Sequence, residues 1–320
     1  MTRETGFLKV VILGGGHGIS QLARYLDLFQ DVDLTFLVTA FDSGGSTGKL
    51  RKEGIIGAGD YTKVCNALSR SSPRLVEARE LRNNEGHSIR NLDFAEFWLF
   101  GGPEYAMSEI QRRYSLNPKR RVFLSTLDDC DLYAELQDGK TLRGEHEIDQ
   151  RGVNHENDIM SIGLDRRARI YPPLIPHVLY ANLIVIGPGS LYTSVLPHFL
   201  IEDFISLIQA SQAKLIYVCN AVTEPGSTDG HTSDDHVAQL QRMGIIPDYV
   251  LVDNTQRYGD ATREAYGLEG KELVLPNSVS RYPRPEIVLG DYTYLNGTSI
   301  LHGPQITKEI FGIGKYYLSH

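Results

Sequence analysis

Cysteine is scarce. The 320-residue chain has three, Cys65, Cys130 and Cys219. They lie far apart and form no CxxC pair, which excludes a disulfide framework and a cysteine-rich zinc site and fits a reducing, cytoplasmic setting. No uninterrupted apolar run reaches the roughly 18 residues of a membrane span, so no transmembrane helix is expected. The start, MTRETGFLKVVILGGG, passes from a short apolar run straight into glycines and does not read as a signal peptide. Positive charge is in deficit, with a formal net charge of −8. That argues against broad nucleic-acid or anionic-membrane binding, and neither is expected as a partner. No HExxH, GxSxG or paired-carboxylate motif is present. There is also no internal repeat, low-complexity linker or clear domain break. Asn296-Gly297-Thr298 matches a glycosylation sequon, which would be irrelevant in the cytoplasm.

What remains is ordinary in bulk, with 41% hydrophobic and 22% charged residues, enough for a sizeable core. Its information is local. Residues 8–13 (LKVVIL) read as a short buried strand and run into Gly14-Gly15-Gly16-His17-Gly18. Residues 34–39 (LTFLVT) read as a second strand, followed by Asp42-Ser43-Gly44-Gly45-Ser46-Thr47-Gly48-Lys49-Leu50-Arg51. Residues 183–186 (LIVI) are a third, followed by Gly187-Pro188-Gly189-Ser190. Bare glycine backbone can approach a phosphate oxygen, and a helix start adds unpaired N–H groups and a favourable dipole. Parallel strands bring their carboxyl ends to one rim, so the three loops together point to a phosphorylated ligand held there.

The pattern between and after the loops is α/β. Helices are expected over residues 18–29, from Asp60 to 69 with Asp60 as N-cap, from Leu191 with Ser190 as N-cap, and over 234–243. Further strands are expected at 214–219 and 249–253. Residues 74–114 read as mainly helical, with Leu92, Phe94, Phe97, Trp98, Leu99 and Phe100 as core. Residues 122–126, 132–136 and 141–148 read as a small antiparallel section turning at Asp138-Gly139. Residues 151–167 read as loop or short helix, and 171–176 as an irregular connection. The expectation is one domain over 1–320, with 74–175 inserted. The last 65 residues are not placed.

Neither amino-proximal loop is a standard fingerprint. Ile19 stands where the third glycine of GxGxxG would fall, and Leu50 stands where a P-loop has Ser or Thr after its Lys. The second loop still offers hydroxyls, amides and the cations Lys49 and Arg51 to a diphosphate. Asp42 would repel phosphate unless Mg²⁺ bridged the two; alternatively it caps its own loop. Lys119-Arg120-Arg121 reads as a solvated basic run, with an anion site as the alternative. Asn220, with residues 223–235 (TEPGSTDGHTSDD), could read a base or sugar. His17, His87, His231 and His236 are candidate acid–base groups, against the commoner role of structural hydrogen-bonder.

In order along the chain, VVILGGGHGIS, FDSGGSTGKLR, Gly59-Asp60, Gly86-His87-Ser88, GPGSLYTSVLP and CNAVTEPGSTDGHTSDDHV closely resemble the gluconeogenesis factor family. These are bacterial relatives of 2-phospho-L-lactate transferase in the CofD-like superfamily. The resemblance covers roughly residues 8–255. It implies a Rossmann-like, doubly wound, mainly parallel sheet with an inserted helical and small antiparallel segment. It also implies a nucleotide site at the strand C-termini, with the role falling on Gly14, Gly15, Gly16, His17, Gly18, Ser43, Gly44, Gly45, Ser46, Thr47, Lys49, Gly187, Gly189, Ser190 and Asn220. Asp42 is the metal candidate, with Mg²⁺ as its ion. Family members look like UDP-sugar binders acting in central carbon metabolism, cell-wall balance and cell shape. The transferase relatives use Mg²⁺ and a guanosine diphosphate donor. The expected function is therefore a nucleotide-sugar-binding regulatory protein, with a Mg²⁺-dependent phospho-lactate-type transferase as the alternative and a pure scaffold as a third reading. Whether it is an enzyme, or a homo-oligomer, stays open. Three departures stand out: Ser43 where a second acidic residue is common, Ala58 before Gly59-Asp60, and Arg90 where Gly is common.

Overall fold

The computed structural model describes residues 7–151, 158–276, 285–297 and 299–319. Seven parallel strands form the central sheet: β1 (Leu8–Gly14), β2 (Val32–Val38), β3 (Arg120–Leu124), and, after a three-stranded excursion, β7 (Leu183–Ile186), β8 (Lys214–Val218), β9 (Tyr249–Asp253) and β10 (Glu286–Gly290). Their order is β10-β9-β8-β7-β1-β2-β3. The chain builds outward from β1 in one direction, then returns to β1's other side and builds outward again. That reversal places a topological switch point between β1 and β7, where a crevice opens outside the strand ends. Leu13 pairs with Ile186 and Gly14 with Val38. The strands after which the glycine loops begin therefore end at one height, and the loops share one rim.

The central strands are continuous apolar runs because helices cover both sheet faces. All four residues of β7 are buried, as is all of β1 except Lys9. Helix α1 (Gly16–Leu26) turns Ile19, Leu22, Ala23 and Leu26 onto the sheet, at the spacing of one helix face. It packs on α3 (Gly59–Ala67) and on the last helix, α11 (Pro304–Ser319). Between α1 and α3 along the chain lies α2 (Gly45–Lys52). After α3 come α4 (Pro73–Ala78) and α5 (Ile89–Arg113), the latter kinked where Gly102 takes φ 81° ahead of Pro103. The excursion holds β4 (Leu132–Leu136), β5 (Thr141–Arg143), α6 (Glu145–Asp149) and β6 (Ile159–Leu164), with antiparallel order β5-β4-β6.

Several expectations need correction. Residues 122–126 do not belong to the antiparallel section: Val122 and Leu124 lie in β3, parallel to β2 at the sheet edge, and an apolar run does not itself declare its partner. The stretch 141–148 is strand only to Arg143, because Gly144, at φ 82°, breaks it and α6 follows. Residues 151–167, of which 152–157 lie outside the described residues, contain strand β6 rather than loop or helix. The segment after Ser190 is a π turn (Leu191–Val195) followed by a 3-10 turn (Leu196–Leu200), and Ser190 makes no side-chain cap bond. Asp60 lies inside the first turn of α3, and Ala58 holds the cap position. Leu99 and Phe100 are not core; they are 75% and 80% exposed at the α5 kink. Arg120 is no solvated cation either: its side chain is fully buried, donating to Asp27 at 2.8 Å and to the Val32 and Phe29 carbonyls. Thr298 of the sequon lies outside the described residues.

The unplaced C-terminal region contributes α10 (Asp260–Leu268), edge strand β10, and a hairpin of β11 (Thr293–Asn296) and β12 (Ser299–His302). The hairpin reaches back over the switch point.

Candidate functional site

A cavity of about 710 Å³ occupies the switch point. The loop after β1 forms its floor through Gly15, Gly16, His17 and Gly18. The loop after β7 forms one side through Pro188, Gly189 and Ser190, and Asn220, after β8, adjoins it. These two loops pack backbone to backbone. A Cβ on Gly18 would come within 2.9 Å of the Pro188 carbonyl carbon and oxygen, and one on Gly14 within 3.1 Å of that oxygen. Asn220 ties the second wall by donating from Nδ2 to the Gly189 carbonyl at 2.9 Å. Opposite stand Tyr266 from α10, Lys271, and Ser299 to His302 from the hairpin.

The glycine loops are already in contact with carboxylates of the protein itself. Gly16 N–H, at the start of α1, donates to Asp60 Oδ2 at 2.5 Å, and Lys63 holds the other oxygen at 3.2 Å. A Cβ on Gly15 would lie 2.6 Å from that same Asp60 oxygen. In the second loop, Gly44 N–H donates to Asp42 Oδ1 and Ser43 N–H to Glu145 Oε2, both at 3.1 Å. Asp42's other oxygen fills the space a Cβ on Gly59 would need, 2.0 Å away. In the third, the Ser190 hydroxyl and Leu191 N–H face the Glu224 carboxylate and favour its ionised form. Asp42, Asp60, Glu145, Asp149 and Glu224 all line the cavity, with Lys63 and Lys271 as its ammonium groups.

This crowding shows in the acidities. Burial first, then the neighbouring charges of Asp60 and Glu145, push Asp42 up to about 7. Burial and Asp149 raise Glu145 to about 8, and burial with Glu224 raises Asp149 to about 6. Burial likewise raises Glu224. His17 is held below its usual value, chiefly by Lys63. These are carboxylates short of positive charge, in a cavity with room for a ligand. Among the described residues, no three His, Cys, Asp or Glu side chains are grouped to hold a metal ion. The hard oxygen donors do suit Mg²⁺ in its usual mode, bound by one or two carboxylates and completed by ligand phosphates.

The expected residues divide. Gly15, Gly16, His17, Gly18, Asp42, Gly189, Ser190 and Asn220 come together on the cavity. Gly14 and Gly187 lie behind it as the turns out of β1 and β7. Ser43, Gly44, Gly45, Ser46, Thr47 and Lys49 do not line it. Ser43 Oγ accepts from His146 N–H, Ser46 Oγ bonds His87, and Lys49 donates to the Glu85 carbonyl at 2.5 Å. Arg51 pairs with Asp129 and Asp131. His231 and His236 pack edge to face away from the cavity, His236 against the Tyr217 hydroxyl at 3.0 Å. Arg90 is buried and donates to the Gly59 carbonyl at 2.6 Å and to Glu80, bracing the turn that carries Asp60. Glu224, inside the 223–235 stretch expected to read a base or sugar, reaches the cavity, whereas Lys63, Glu145, Asp149, Lys271 and the hairpin are not marked by the sequence reading. Asp60/Lys63 and Glu145/Asp149, three and four apart on helices, were the available signals.

A family model described as 2-phospho-L-lactate transferase CofD matches residues 10–286. The gluconeogenesis factor of Halalkalibacterium halodurans is 33% identical over 316 residues, covering 96% of each chain. The gluconeogenesis factor of Bacillus subtilis is 35% identical over 275 residues, covering 83% of this chain and 84% of its own. The chain belongs to the gluconeogenesis factor family of CofD-like proteins. A crystal structure from Bacillus halodurans, 31% identical, shares the fold at a TM-score of 0.86 and covers 95% of this chain and 98% of that one. Among the described residues of this family member, no helix is long and apolar enough to cross a membrane.

Proposed function

We propose that this protein binds a nucleotide-diphosphate sugar of the UDP-sugar type in the switch-point cavity. On this reading it acts in the cytoplasm as a regulatory protein linked to central carbon metabolism and to cell-wall and cell-shape maintenance. One observation carries the reading. The loops after β1 and β7 meet at the topological reversal of a seven-stranded parallel sheet and enclose about 710 Å³, the place and size expected for a nucleotide. His17 and Gly18, in the first turn of α1, line the floor, and first-turn amides have no intrahelical acceptor. With Lys63 beside them they suit a diphosphate. The names of the relatives support the metabolic half of the reading.

A second reading, a Mg²⁺-dependent transferase of the 2-phospho-L-lactate type, is favoured by the carboxylates raised toward neutrality around Asp42. Asp42, whose carboxyl the charges of Asp60 and Glu145 push up, would hold the ion together with the ligand's phosphates. Mg²⁺ would supply neutralisation of diphosphate charge. Calorimetry against UDP-sugars, GDP-sugars and dinucleotides, with and without Mg²⁺, tests both. Binding without turnover, by mass spectrometry of the recovered ligand, supports the regulator. With an alcohol acceptor added, a phospho-linked group found on that acceptor only with Mg²⁺, with nucleoside monophosphate released, supports the transferase. No binding by any of these ligands ends both.

A further inference from the structure

The cavity wall holds two polar atoms that the chain itself leaves unused. Ser190 Oγ and Glu224 Oε2 are buried and face each other, yet neither closes a hydrogen bond of good geometry with the other or with any other group of the protein, and both residues line the cavity. Buried polar atoms rarely go unsatisfied, so each such atom asks for an explanation. Glu224 is held firmly in place. Its backbone N–H donates to Thr228 Oγ1 at 2.8 Å, and its carbonyl accepts from the Ser227 and Thr228 N–H groups. The side chain is thus presented by a closed turn after β8, beyond the switch point from Lys63. An ionised carboxylate only accepts hydrogen bonds and repels phosphate. What satisfies it is a ligand donor, and Ser190 beside it can donate to or accept from the same group.

We propose that Glu224 and Ser190 form the hydroxyl-reading end of the cavity. There Glu224 accepts from a sugar hydroxyl of the ligand and Ser190 completes the contact, while the anionic end lies toward His17, Gly18 and Lys63. This rests on the nucleotide-sugar reading above and gives that ligand a direction. It moves Ser190 from a phosphate contact, as the loop's sequence suggests, to a sugar contact. The chemistry is shared by two sources, the ribose of the nucleotide and the pendant hexose. The carboxylate treats them alike, but analogues do not.

The experiment is calorimetry on the full chain with UDP-hexose, UDP, 2′-deoxy-UDP and 3′-deoxy-UDP. The variants are Glu224→Gln, Ser190→Ala and Lys63→Met. Glu224→Gln is expected to weaken UDP-hexose at least tenfold and Ser190→Ala several-fold, since a hydrogen bond to a charged group is lost. If the ribose is the source, UDP loses the same factor, and one deoxy analogue binds the wild-type protein as weakly as UDP binds Glu224→Gln. If the hexose is the source, UDP binds wild type and Glu224→Gln equally. The deoxy analogues act on the unmodified protein, so a variant that folds poorly does not shelter the proposal. Wild-type binding of UDP-hexose unchanged in Glu224→Gln and Ser190→Ala, yet lost in Lys63→Met, overturns this direction and leaves the nucleotide-sugar reading standing. No binding by wild type overturns both.

Discussion

The loops after β1 and β2 are near neighbours in sequence and in the sheet, and both are built from glycine, yet they do different work. The first keeps one open position on the cavity. Gly16, at φ 63°, has nothing within 4 Å of where a Cβ would stand, and its neighbours form a cavity floor. The second is consumed by its own fold. A Cβ on Gly48 would lie 2.1 Å from the Ser43 carbonyl oxygen, Lys49 caps a distant carbonyl, and α6 covers Ser43. Both loops let backbone and carboxylate close on each other, as Gly15 does with Asp60, but only the first also sets an open glycine on the cavity. Only Asp42, ahead of the second loop's glycines, reaches the cavity. Glycine density marks close approach and does not say what approaches.

The comparison can be broken most directly in the closed loop. Gly48→Ala forces a carbon against a carbonyl and should cost about 3 kcal/mol in denaturant unfolding, the upper part of the range for overpacking. A loss below 0.5 kcal/mol, about the size of a neutral surface change, would mean that loop is as open as the first. In the open loop's neighbourhood, Lys63→Met should weaken nucleotide-diphosphate binding tenfold or more by calorimetry, the effect of losing a charged hydrogen bond of roughly 1.5–3 kcal/mol, with little change in melting temperature. Unchanged affinity would remove Lys63 from the anionic end.

A pH series sharpens the comparison from the carboxylate side. Asp42 and Glu145 have folded pKa values raised to about 7 and about 8, above those of the unfolded chain. The folded state then binds more protons than the unfolded one in this window, so stability falls as pH rises. The melting temperature should drop from about pH 5 to about pH 8 and level off above it, and Asp42→Asn should flatten the drop. If Mg²⁺ binds at Asp42, adding it should flatten the wild-type curve too. A wild-type curve level across that window would contradict the crowding. The smallest effect belongs to Lys49→Met, expected to change stability by about 0.5 kcal/mol or less and ligand affinity not at all. A tenfold loss of affinity would return Lys49 to the site.

Much of the sheet was legible. Residues 183–186 and 249–253 were located to the residue, because buried parallel strands are short, β-branched and flanked by loop residues. The apolar run of β3 reads as a strand, but its partner β2 does not follow from it, since pairing is a long-range fact. Leu99 and Phe100 looked like core because composition cannot show a kink turning them outward. In the site, the glycine loops at β1 and β7 were legible as backbone that approaches something closely. The carboxylates that approach them were not. Asp60 read as a helix cap, and Glu145 and Asp149 lay in a stretch read as strand and its continuation. The hairpin wall had no local signature at all: its role comes from folding back across some 280 residues of chain onto Gly16.

That return has a consequence for synthesis. The cavity's floor is made by residues 15–18 and its far wall by residues 299–302, so some 280 further residues must leave the ribosome after the floor before the site exists. At about 5–20 residues per second, the glycine floor spends tens of seconds without a roof. A nascent chain can form the β1-β2 pair early but cannot enclose a ligand. Any truncation upstream of residue 299 removes that far wall and leaves the glycine floor uncovered.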